Sequence, residues 1–174
     1  MRKILARLGV FAAVLSTVAM LVPSSAYGAS QVAAGGVGHG TISPGLTTTP
    51  TAQSVSFQSD VFIGGGVSTD PNAATGTVNC TFNGSSTLPG GETVAQGGGS
   101  VTGSCTVAAG VGVGQSVNCT VSYSRVGNVV VITVNCTFGT HHSTGGGVFL
   151  FVPTSVNPTT SYELVGTAAA VGTD

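Results

Sequence analysis

The 174-residue chain holds four Lys or Arg and five Asp or Glu, so charge is scarce. Arg2, Lys3 and Arg7 cluster at the N-terminus. Beyond them Arg125 alone faces Asp60, Asp70, Glu92, Glu163 and Asp174, a formal side-chain charge of −4. A single arginine rules out nucleic-acid binding, which relies on basic side chains to release counterions, and adsorption to an anionic membrane surface.

In chain order, the basic start leads into an almost uninterrupted apolar run from Leu8 to Val22. Pro23-Ser24 ends it, and the small-residue stretch Ser25-Ala26-Tyr27-Gly28-Ala29-Ser30 follows. That succession predicts a secretory signal peptide over 1–28. Cleavage after Gly28 places Ala26 and Gly28 where small residues are required; cleavage after Ala26 or Ala29 is the other option. The run is shorter than the roughly 20 residues a membrane-spanning helix needs. Residues 29–174 then form one domain-sized unit, large enough to bury about two-thirds of its unfolded surface. The dearth of lysine and the Ala, Gly, Val and Thr bias resemble a high-GC bacterium.

Helix signals are almost absent after the leader, and Gly or Pro interrupts every stretch rich in Val, Thr and Ser. Gln31 to Ile42 reads as a Gly-rich first strand, ended by Ser43-Pro44-Gly45. Val55, Phe57, Ser59, Val61 and Ile63 alternate with polar neighbours, one face buried and one wet. Asp70-Pro71-Asn72 is a turn. Strands are expected over Thr75 to Thr87, over Val94 to Val107 with an interruption at Gly97-Gly98-Gly99, and over Ser116 to Arg125 with Val129 to Phe138 as a hairpin. Thr140 to Gly147 reads as a loop carrying His141 and His142. Val148 to Val152 and Ser161 to Val171 complete about eight strands. The fold expected is all-β, an antiparallel Ig-like or jelly-roll-like sandwich.

Thr77-Val78-Asn79-Cys80-Thr81-Phe82 recurs letter for letter at Thr133 to Phe138, with a near copy at Ser116 to Val121 and a looser one at Thr102 to Val107. In each, the cysteine precedes an apolar residue by two, so both point one way while their polar neighbours, Asn and Thr in the closer copies, point the other. All four cysteines, Cys80, Cys105, Cys119 and Cys136, lie in the exported part, which implies two disulfides. If Gly127-Asn128 is a two-residue turn, Val126 faces Val129, and counting outward brings Cys119 opposite Cys136. That position is a non-hydrogen-bonded pair, with Cα atoms about 4.5 Å apart and within disulfide reach. Cys80–Cys105 follows by elimination. Zinc would need short paired spacings such as C-x-x-C, and there are none.

His39, His141 and His142 are the only imidazoles. His141 and His142, converging in a Gly-flanked loop, could with Asp60 or Asp70 make a weak surface metal site; they read as two solvent-exposed loop histidines. Thr41-Ile42-Ser43-Pro44-Gly45 lacks the first glycine of a nucleophile elbow. The scattered carboxylates give no pair for sugar hydrolysis, and neither glycine-rich stretch has a phosphate-loop lysine. No catalytic, cofactor or metal residue is expected, and the chain is read as a non-enzyme. Asn79, Asn83, Asn118 and Asn135 each fit N-x-[ST]; three follow from the Asn-Cys-Thr repeat.

The segments Gly40 to Thr47, Tyr123 to Gly127 and Phe151 to Pro158 resemble small secreted β-sandwich proteins of actinobacteria, a group to which no function attaches. In size, two-disulfide design and low charge the chain is also similar to apoproteins that carry enediyne chromophores. Two functions are therefore expected as alternatives. One is a secreted structural or interaction protein with a cell-envelope or protein partner. The other is an extracellular carrier of a small apolar molecule, with Gly97 to Gly99 and Ala168 to Ala170 leaving room for it.

Overall fold

The computed structural model describes residues 30–67, 76–87, 91–110, 113–138 and 141–173, so the predicted leader and the Asp70 turn lie outside the described residues. Eight strands follow one another: β1 (Ser30–Leu46), β2 (Ser54–Val67), β3 (Gly76–Ser86), β4 (Gln96–Gly110), β5 (Ser116–Val126), β6 (Val129–Phe138), β7 (His141–Pro153) and β8 (Thr159–Thr173). Each pairs antiparallel with the next, and β8 returns to pair with β1.

The expected sandwich is thus corrected to a single sheet closed into an up-and-down barrel. Sandwich edges must be guarded by charges, bulges or prolines, and this chain has few charges to spend there. Closure removes the edges altogether. It requires long terminal strands, and β1 and β8 run for 17 and 15 residues with partners from Ser30↔Gly172 to Leu46↔Thr159.

Two local expectations change with it. The loop expected over Thr140 to Gly147 is corrected from His141 onward, which belongs to β7; Thr140 lies outside the described residues. The glycines there signal close approach rather than a turn: a Cβ on Gly145 would come within 2.1 Å of the Ala169 carbonyl on β8. Gly97 to Gly99 likewise lie inside β4 rather than interrupting it. In β2 the alternation holds through Ser59, and a bulge then skips Asp60, since Val37 pairs with Val61 and Gly38 with Ser59. The pairing of β2 with β3 breaks at the same place, and the buried Ser59 hydroxyl accepts the Cys80 N–H in its stead.

An eight-stranded barrel has an interior just wide enough for side chains to fill. Ile42, Val55, Phe82, Val101, Val121 and Phe149 occupy it, each buried, and full burial of such side chains stabilises by about 1.5–3 kcal/mol apiece. Phe57 stacks on Phe82 at 6.4 Å and Phe151 on Tyr162 at 5.0 Å between centroids. Both disulfides point inward and pack against this core: Cys80–Cys105 and Cys119–Cys136, each with Cα atoms 4.0 Å apart. The β5–β6 register runs from Val126↔Val129 to Cys119↔Cys136 as counted from the Gly127-Asn128 turn.

Candidate functional site

Three features could bear function: the plugged mouth of the barrel, a polar wall and an apolar wall. The mouth is the end where the β1–β2, β3–β4, β5–β6 and β7–β8 connections gather. Residues of the β3–β4 connection fold across it, with Val94 N–H donating to Thr47 O (2.9 Å), Glu92 N–H to Thr51 O (3.1 Å) and Gly127 N–H to Ala95 O (2.7 Å). From this strap Glu92 turns into the barrel over Gly97. A Cβ on Gly97 would lie 2.6 Å from the Glu92 carboxyl carbon, so that glycine's space is already taken.

Inside, Glu92 meets Arg125, and the two are 1% and 2% exposed. Arg125 Nη1 donates to Val94 O (3.2 Å) and Gly127 O (2.9 Å), and Nη2 donates to Thr93 O and lies 3.7 Å from Glu92 Oε2. The guanidinium also sits 4.9 Å over the Phe151 ring. Tyr123 donates its hydroxyl proton to Glu92 Oε1. Burial raises the Glu92 pKa above its ordinary 4.5, against the opposing pull of the Tyr123 hydrogen bond and the Arg125 charge. Burial also lifts Tyr123 and Tyr162 above the usual phenol value and lowers Arg125. These groups bond to one another and to the strap. They form a structural plug, and the arginine that stood out in the sequence is not on the surface.

The polar wall is the outer face of β3 to β6. Because each cysteine points inward, its Asn, Ser or Thr neighbours point out. Asn83, Thr102, Thr120 and Asn135 are successive partners across the four strands. Thr81, Ser104, Asn118 and Thr137 form a second row. Together they line a solvent-open groove of about 700 Å³, and among the described residues none that lines it is charged. The Asn-Cys-Thr repeat is the sequence signal for this wall. The contiguity of its copies required the strand order.

On the other side the outer face carries an apolar patch. Val129 pairs with Leu150, Leu150 with Val165 and Val165 with Val37, while Val131 pairs with Val148. Val129, Val131, Val148 and Leu150 are each between 43% and 50% exposed.

His39 and His142 do not converge, and the His141 side chain lies outside the described residues. His39 Nδ1 lies 2.6 Å from Asp60 Oδ1 in an exposed pair, with Glu163 as its cross-strand partner on β8. His142 is at the far end of the barrel, opposite Thr173. Among the described residues no group of three or more His, Cys, Asp or Glu is placed to hold a metal ion. Ser43, of the near-miss elbow, is exposed at the end of β1. Comparison of the chain with protein-family models, curated proteins and solved structures returns no match.

Proposed function

We propose that the chain is a secreted, non-catalytic interaction protein, working at or outside a bacterial cell envelope through the outer wall of its barrel. One observation carries this reading: an uncharged array of Asn, Thr and Ser spans four adjacent strands and frames a groove. Two disulfides fit an oxidising compartment, which supports the export expected from the leader. A barrel that spans a membrane needs an apolar band facing outward on every strand. The polar rows on β3 to β6 oppose that and support a barrel working outside the bilayer.

The carrier reading draws less support. The space opened by Gly97 is filled by the Glu92 carboxyl, that of Gly99 is bordered by the Tyr123 hydroxyl, and Ala168 packs against the core. Culture fractionation tests the choice. Protein retained in washed envelope supports the interaction reading, whereas free monomer in the medium carrying a bound small molecule in native mass spectra supports the carrier and ends the first reading.

A further inference from the structure

We propose that the groove across β3 to β6 binds an uncharged polysaccharide chain; this rests on the reading that the polar wall is the interaction surface. The volume of about 700 Å³ lies within the roughly 300–1,000 Å³ usual for ligand sites. Here eight of the ten lining residues carry a hydroxyl or a primary amide, Thr102, Thr120, Asn83, Asn118 and Asn135 among them, beside Gly103 and Cys119. An amide presents two donors and an acceptor oxygen, and a hydroxyl can play either part. Sugar hydroxyls are groups of the same kind, so each contact can form in either direction.

These groups are not already engaged. Among the described residues the Asn83, Asn118 and Asn135 amides form no hydrogen bond to another residue. An apolar occupant would strip them of water without replacing the bonds, at a cost for each group left unsatisfied. Charge narrows the choice further. Among the described residues no basic side chain lines the groove, and Arg125 is enclosed in the barrel. A phosphorylated, sulfated or carboxylated polymer would find no cation there. Shape favours a polymer over a single small molecule, because the groove is open and crosses three inter-strand steps of about 4.8 Å each.

Affinity electrophoresis of the folded, disulfide-intact protein tests the site, in native gels cast with dextran, mannan, arabinan or galactan and with alginate as the anionic control. At least one neutral polysaccharide is expected to retard the protein, and alginate is not. Asn118→Ala with Asn135→Ala should weaken retardation about tenfold, as expected for two lost hydrogen-bonding side chains. Thr102→Val with Thr120→Val, which keeps shape and strand preference, should weaken it as well if the alanine pair disturbs folding. Val148→Thr on the opposite wall should leave it unchanged. Equal retardation of the groove variants and the parent overturns the site. Retardation by none of the four neutral polymers overturns the glycan assignment. If washed envelopes still sediment the protein in that case, the interaction reading stands; if they do not, both readings fall.

Discussion

Replacing Arg125 by methionine removes the guanidinium from inside the barrel while keeping an unbranched apolar stem over Phe151. Three carbonyls, of Thr93, Val94 and Gly127, lose their donor, and Glu92 loses its counter-charge. Removing one partner of a buried ion pair costs about 3–5 kcal/mol. The carbonyls belong to a surface strap that can re-solvate, so a loss of about 4 kcal/mol is expected rather than the sum of every bond. Against the roughly 5–15 kcal/mol of a typical domain that is a large share. With a urea m-value of about 2 kcal/mol/M, the unfolding midpoint should fall by about 2 M. Far-UV circular dichroism at pH 7 with disulfides intact reads it. Arg125→Lys should fall between, because one ammonium cannot span carbonyls that the planar guanidinium meets together. Adding Glu92→Gln to Arg125→Met should recover part of the loss by removing the stranded carboxyl. A midpoint shift under about 0.5 M for Arg125→Met would refute the plug as a source of stability.

Acid titration probes the same cluster. The Glu92 pKa is raised by burial, so the folded chain holds that proton more tightly than the unfolded chain does. Its contribution is therefore complete below 4.5 and declines as pH rises through the folded value; Glu92→Gln should flatten this dependence in urea midpoints measured from pH 4 to 7. The raised Tyr123 and Tyr162 phenols predict that a folded Tyr27→Phe variant shows no phenolate absorbance step at pH 10, whereas the same variant unfolded in urea does. By the same sign, stability should be lost as pH rises beyond about 10. Replacing Cys119 and Cys136 by alanine opens a link of sequence separation 17, which costs about 3 kcal/mol in the chain-entropy model. Losing Cys80–Cys105, of separation 25, should cost slightly more, and calorimetry under non-reducing conditions checks both.

Strand identity, the central hairpin register and the outward Asn and Thr were legible because each depends on local alternation and one turn. Closure was not, since nothing within β1 or β8 alone says that Val37 will meet Val165. The glycines misled in a consistent way. Gly145 to Gly147 read as a loop, yet they sit where strands approach too closely for a Cβ, and that approach belongs to the closed barrel. Glu92 was one of the scattered carboxylates. Only the strap's bonds to Thr47 and Thr51 turn it inward to Arg125, and the sole hint was an arginine at an inward position of an alternating strand. The groove required the order β3-β4-β5-β6, which aligns repeats far apart in sequence.

Titration of isotopically labelled protein with a neutral polysaccharide fraction from the envelope, followed by NMR, tests most directly where the molecule works. The side-chain amide signals of Asn83, Asn118 and Asn135 should shift together, with the Val129, Val148 and Leu150 methyls and the interior Phe149 and Tyr162 rings unmoved. Shifts confined to the interior rings or to the apolar wall, with the three amides unchanged, would contradict a function carried by the polar face.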